Sequence, residues 1–389
     1  MILFICNTPF QLFNAIRIKT TIYINETADI ILSNHSKVDN YRKSLCDSGI
    51  FQHVYSASSL KLARNFFSWP DHKKGKAFNN SRKYLKNIFL PCREYNTIFF
   101  ANIDGFTSLL FRYCVTEGFK TQFSYYEDGW SSYIIDLEKY SLSPYEKYYS
   151  EILNQKILQT NIKDIWLYDK RLYCLSPKIP IESIPQIDIY DNQFKKLINR
   201  VFIYRDNNEY HCKHIFLEEA FNEDGYYNND LQIIKTIKNY VGENNFIVKR
   251  HPRLSADRYI GTGIKTSSDT RIPWEVLILN MNSPDMILYT ISSNACLTPA
   301  IVFNIEIPIF YFRSVLRGNV SHTYRLKEFD VFLQKYKSLY GKDTFFEITS
   351  LGQYPAFYTK YFYYTQKKAL RKYLLTEDKN SENCSFCSY

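Results

Sequence analysis

Four short stretches of this sequence gather acids, cations and hydroxyls in patterns that could move a proton or hold a phosphate. The densest is Asn245-Phe-Ile-Val-Lys-Arg-His-Pro-Arg253, where an apolar strand runs into Lys249, Arg250, His251, Pro252 and Arg253. Pro252 fixes φ in the turn, and cations beside an imidazole suit a leaving phosphate whose growing charge must be balanced. The second is Glu127-Asp128-Gly129, after the strand Phe123-Ser-Tyr-Tyr126. Neighbouring carboxylates can raise one another's pKa, which suits a general base, and Gly129 lets a backbone approach a substrate. In Ile272-Pro-Trp-Glu-Val-Leu277, Glu275 at a helix start could accept hydrogen bonds from a ribose. Ser292-Ser293-Asn294 offers hydroxyls and N–H groups at a helix start to a phosphate. Each has an ordinary counterpart: an acidic or basic surface turn, a capping glutamate, a serine N-cap. Their shared placement at strand-to-helix junctions is the stronger signal.

The elements that must position these residues follow an alternating pattern. Apolar runs of four to eight residues with helical stretches between them predict parallel strands and crossover helices. In the first half strands are expected at Ile2–Cys6, Asp29–Leu32, His53–Tyr55, Thr97–Ala101 and Thr121–Tyr125, with a helix from Thr107 to Glu117 after Asp104-Gly105. Pro177, Pro180 and Pro185 and a lack of periodicity mark a linker around Ile179 to Asp191. The second half restarts with strands at His214–Leu217, Phe246–Val248, Gly263–Thr266, Met286–Thr290 and Ile307–Phe312. Helices are expected near Asp230–Val241, Pro273–Met281 and Leu297–Val302. The prediction is an α/β chain of two Rossmann-like domains facing a central cleft: 1–190, 191–325, and a helical tail 326–389 that can pack back on the first domain.

Composition sets outer bounds. The 389 residues are 45% hydrophobic and 23% charged, as in globular domains. The abundant Tyr and Phe carry no functional weight here. A net charge of +10 points to acidic partners: a nucleotide, an anionic sugar or an anionic membrane surface. No nucleic-acid motif is present, and the cations read as dispersed. The amino terminus reads as a first strand and helix rather than a signal peptide, and no apolar run reaches transmembrane length. The nine cysteines are scattered as reduced core residues are, and the Cys384/Cys387 pair lacks the second pair of a metal site. The expected location is cytoplasmic, with peripheral contact at the inner face of a bacterial membrane.

The order of an acidic pair with glycine, His-Pro, a Pro-aromatic-Glu helix start and paired serines resembles the bacterial sialyltransferases. Phe4-Ile-Cys-Asn-Thr-Pro-Phe-Gln-Leu12 is similar to glycosyltransferase family 52, which holds lipooligosaccharide and capsule α-2,3-sialyltransferases and some glucosyltransferases. The resemblance spans Met1 to Phe312. It implies a GT-B-type fold acting on CMP-sialic acid without a metal or other cofactor. Asp128 takes the general-base position beside Glu127, His251 the phosphate contact, Glu275 the ribose contact, and Ser292 and Ser293 the phosphate-binding serines. Some members place the base after the first strand of the second domain, which makes Glu218, Glu219 and Asp224 rivals to Asp128.

The expected reaction is inverting transfer of sialic acid to a terminal galactose of a surface glycan, through an oxocarbenium-like transition state. No Asp-x-Asp metal motif is evident. The alternatives are a UDP-sugar transferase, for which Arg250, Arg253 and Arg258 would supply charge, a polysialyltransferase, or a non-catalytic nucleotide-sugar binder. A homodimer is a further expectation from the resemblance.

Overall fold

The structure, a computed structural model, describes residues 1–363 except 87, 89–92, 138–149, 152–153, 207–208, 211, 222, 224, 255–256, 269, 282–285 and 319–325. Seven parallel strands form the first sheet: β1 (Ile2–Cys6), β2 (Ala28–Ser33), β3 (His53–Ala57), β4 (Thr97–Phe100), β5 (Gln122–Tyr126), β6 (Ile162–Leu167) and β7 (Ile181–Ser183), in the order β3-β2-β1-β4-β5-β6-β7. A second parallel sheet holds β8 (His214–Leu217), β9 (Phe246–Lys249), β10 (Ile287–Thr290), β11 (Ile309–Tyr311) and β12 (Phe345–Glu347), ordered β12-β11-β10-β8-β9. The strand order reverses between β1 and β4 and again between β8 and β10. Such switch points open crevices at the carboxyl ends of the strands.

The central strands are apolar without alternation because both faces are covered. Every residue of β1, β4, β8 and β10 is buried. Helix α1 (Pro9–Thr21) starts where a sequence can start a helix most sharply. Pro9 stands in the first turn, and Thr8 caps it by accepting from the Gln11 N–H at 3.2 Å. Four helices follow on the first domain: α2 (Arg42–Ser48), α3 (Leu60–Asn65), α4 (Asp71–Asn79) and α5 (Ser81–Leu85). Then comes α6 (Gly105–Thr116), capped by Asp104, whose carboxylate accepts from the Thr107 N–H at 2.9 Å.

After the proline-rich connection, α7 (Asn192–Val201) lies between the halves. Its Phe194 meets Phe13 of α1, Phe13 meets Phe303 beyond it, and Ser44 of α2 donates to the Val201 carbonyl. The second domain adds α8 (Asp230–Val241), α9 (Trp274–Asn280) and α10 (Thr298–Phe303). Helix α11 (Lys327–Leu339) turns to the first domain, setting Phe329 against Trp130 and Phe332 against Tyr133.

Several sequence expectations need correction. Gly263–Thr266 is no strand; Thr266 makes an isolated bridge to Val248. The linker around Ile179 to Asp191 contains β7, the first sheet's edge strand. Strand β6 escaped notice because Lys163 and Asp164 interrupt its apolar run. Beyond residue 325 the chain is not wholly helical: β12 pairs with β11 and closes the second sheet in place of Ile307–Phe312.

Candidate active site

A cleft of about 860 Å³ opens between the carboxyl edges of the two sheets. That volume lies in the range of ligand pockets, about 300–1,000 Å³. The first domain contributes the turns after β1, β2 and β5, including Thr8, His35 and Asp128. The second contributes the ends of β8, β9 and β10, with the start of α9.

Asp128 sits where β5 leaves the sheet. The Ser132 hydroxyl accepts from its backbone N–H at 2.8 Å, pinning the turn. Its two carboxylate oxygens meet separate donors: the Thr8 hydroxyl at 3.4 Å and the Asn102 amide at 3.4 Å. Asn102 is itself oriented, since its oxygen accepts from Gln11 at 2.7 Å and Asn7 at 2.9 Å. Its amide nitrogen therefore faces Asp128. Burial raises the Asp128 pKa to about 6, and the Gln11, Asn102 and Thr8 side chains pull it partly back. A carboxylate ionised above that pH and set in a cleft is equipped to take a proton.

Glu127, expected beside the general base Asp128 as a catalytic residue, does not line the cleft. Its carboxylate is buried and accepts from the Tyr133 hydroxyl at 2.5 Å and the Tyr168 N–H at 2.9 Å. Burial pushes its pKa to about 8. The neighbouring-carboxylate effect expected from the sequence is secondary at Glu127 and is not among the causes at Asp128; burial dominates both.

On the opposite wall, β9 delivers Lys249, Arg250, His251, Pro252 and Arg253 into the cleft. The Arg253 N–H donates to His251 Nδ1 at 3.2 Å. A neutral His251 must then carry its proton on Nε2. Arg250 is steadied by Asp257 at 3.7 Å, and its N–H donates to Ser267 at 3.2 Å. Ser292 donates to Glu219 at 3.0 Å. Ser293 caps the turn at Asn294–Cys296, and its N–H donates to Thr290 at 2.9 Å. Glu275 lies at the first turn of α9, where burial raises its pKa to about 7 against the pull of the Thr298 hydroxyl and Lys249.

The rival bases fare differently. Glu218 is buried and engaged: it accepts from Arg258 at 2.9 Å, Tyr259 at 2.7 Å and the His251 N–H at 3.3 Å. Burial raises its pKa while those donors oppose the rise. Its carboxylate supports the His251 turn from behind. Arg258, expected as spare charge for a diphosphate, is absent from the cleft lining and held by Glu218 and Asp230. Glu219 lines the cleft through its bond with Ser292. Asp224 and the Cys384/Cys387 pair lie outside the described residues.

One contact ties the walls together. Asn294 of the second domain accepts from the Trp130 N–H at 2.8 Å, directly after Gly129. Gly129 has φ +92°, and a Cβ there would stand 2.8 Å from the Asn294 amide nitrogen. Glycine is required twice over, by backbone conformation and by space. Sequence reasoning missed Thr8, Gln11 and Asn102 as parts of the site, and for Asn294 it missed the contact with Trp130; for Thr8 and Gln11 the sharp Thr-Pro helix start was an available pointer. Among the described residues, no three His, Cys, Asp or Glu side chains are grouped as a metal site needs.

No family model matches the chain, and a search of curated proteins returned no significant match. Solved structures do match. The glycotransferase of kitacinnamycin superposes with TM-score 0.51 at 8% identity, covering 92% of this chain and 90% of that one. An α/β-galactoside α-2,3-sialyltransferase from the luminous marine bacterium Photobacterium phosphoreum gives TM-score 0.48 at 12% identity, covering 89% and 98%. A UDP-N-acetylglucosamine 2-epimerase gives 0.43 at 11%, covering 88% of each. The chain has the α/β fold of GT-B type, two Rossmann-like domains around a central cleft.

Proposed function

We propose that this GT-B-type chain is an inverting glycosyltransferase that moves sialic acid from CMP-sialic acid to a galactose hydroxyl of a bacterial surface glycan, in α-2,3 linkage. The observation that carries the reading is the polarity of the cleft. An oriented carboxylate, Asp128, stands on one wall, and Lys249, Arg250 and His251 line the other.

Asp128 takes the acceptor proton as the acceptor oxygen bonds to the anomeric carbon from the face opposite the phosphate. The bond from that carbon to the CMP phosphate oxygen breaks, and the phosphate leaves with the electron pair. Lys249 and Arg250 stabilise the departing charge, and His251 donates through Nε2–H. Glu275, at the α9 start, receives the ribose hydroxyls, and the Ser292–Ser293 turn completes the phosphate contacts. No residue in this scheme requires a metal or cofactor.

A second reading, transfer from a UDP-sugar, is favoured by the number of cations near the donor wall. Arg253 and Arg271 line the cleft with Lys249 and Arg250. Isothermal titration with CMP, UDP and CDP, with EDTA present, separates the two. Selective CMP binding, with turnover abolished in Asp128→Ala but CMP affinity unchanged, is the expected result. Preference for UDP turns the assignment to the second reading. Failure to bind any nucleotide would mean a scaffold that has lost catalysis.

A further inference from the structure

The positive charge of this chain is concentrated, which corrects the dispersed reading of its cations. Between Leu60 and Arg93, less than a tenth of the sequence, stand nine lysines and arginines against one carboxylate, Asp71. That stretch carries +8 of the net +10.

The fold explains how so much like charge is held together. Helices α3, α4 and α5 form a layer over α6, and Leu62, Phe78 and Leu85 of these helices, with Phe66 of the turn after α3, are buried beneath it. The fit is close: a Cβ on Gly105 would stand against Phe66, leaving no room for a larger residue. Facing outward are Lys61, Lys73, Lys76, Lys83 and Lys86, all exposed and forming no ion pair among the described residues. Beside them Trp69 and Tyr84 are half-buried with ring centroids 6.1 Å apart, and the Lys73 ammonium lies 3.9 Å from the Trp69 ring centre.

Self-repulsion among these cations disfavours the compact state unless a partner neutralises it. An anionic bilayer does so with diffuse charge, and each lysine near it strengthens adsorption about fivefold. Lysine ammoniums are compact charges that suit such a surface, whereas the planar arginine fork suits discrete phosphates and base edges. Aromatic rings with one apolar and one wet side belong at a lipid headgroup boundary. No helix among the described residues is long and apolar enough to cross a membrane, so this face would adsorb rather than insert.

We propose that the outer face of α3–α5 docks the protein on an anionic lipid surface. This is independent of the glycosyltransfer reading and survives or fails apart from it.

The test is co-sedimentation of the full chain with vesicles of phosphatidylcholine alone or with about 30% phosphatidylglycerol, at low and high salt. Binding only to the anionic vesicles, released by salt, is the expected result. The variant Lys73→Gln/Lys76→Gln/Lys83→Gln should weaken it about 100-fold, three lysines at about fivefold each. Should that variant lose its native circular dichroism, Lys83→Gln/Lys86→Gln reports the same effect at smaller scale. Equal binding to neutral vesicles, or unchanged binding of a folded variant, overturns the proposal. So does tighter binding of single-stranded RNA or an anionic polysaccharide that displaces the vesicles.

Discussion

Removing Asn102 should change when this protein works more than how fast it can work. Asn102 donates to one Asp128 oxygen at 3.4 Å, and donors to the ionised carboxyl are what hold its pKa down to about 6 against burial. A hydrogen bond to a charged group contributes about 1.5–3 kcal/mol, and the long contact argues for the lower end. At about 1.4 kcal/mol per unit, Asn102→Ala should raise the Asp128 pKa by about one unit, from about 6 to about 7. The ionised fraction at pH 6 then falls about fivefold, while at pH 8 it falls by only about a tenth. The sign follows from the role: a base must be unprotonated, so activity is lost on the acid side. The assay is kcat/KM against pH from 5 to 9, with CMP affinity and the melting curve measured on the same samples. An acid limb that stays in place, or an equal loss at every pH, would refute Asp128 as a base tuned by this network.

Two further perturbations probe the surrounding structure. Gly129→Ala puts a Cβ at φ +92° against Asn294 and should lose about 1–3 kcal/mol in urea unfolding, with at least a tenfold fall in turnover. Gly118→Ala, also at positive φ but with open space around it, is the control and should keep its turnover. For Glu127, burial lifts the folded pKa to about 8 from an ordinary 4.5, so between those values the folded state holds a proton the unfolded chain releases. Wild-type stability therefore falls as pH rises through that window. Glu127→Gln keeps the acceptor for Tyr168 and does not titrate. It should melt higher than wild type at pH 8 and show no such advantage near pH 4; an advantage independent of pH would contradict the assignment.

What the sequence disclosed depended on how locally each feature is encoded. Strands β1, β4, β8, β9 and β10 were legible because burial on both faces demands an uninterrupted apolar run. Strand β7 was hidden by the prolines around it, and β12 by its brevity. The cleft positions of Asp128, His251, Glu275 and Ser292 were legible because these residues stand at strand-to-helix junctions, where a parallel sheet opens its crevice. Their supports were not. Thr8 reaches Asp128 across 120 residues and Asn294 reaches Trp130 across 164, and such pairings leave no local signature. Glu127 was misplaced because adjacent residues at a strand end face opposite sides.

The continuous core between the halves bears on how the proposed transferase could change its donor. Phe13 touches both Phe194 and Phe303, Arg17 donates to the carbonyls of Pro185 and Gln186, and one apolar cluster includes strands of both sheets. The halves are therefore not interchangeable modules. A chimera that replaced residues 191–325 alone would strip from α1 its partners Phe194 and Phe303, leaving that helix with an uncovered apolar flank. On the proposed reading, new donor specificity would be reached by exchanging residues within the turns after β8, β9 and β10, which line the cleft.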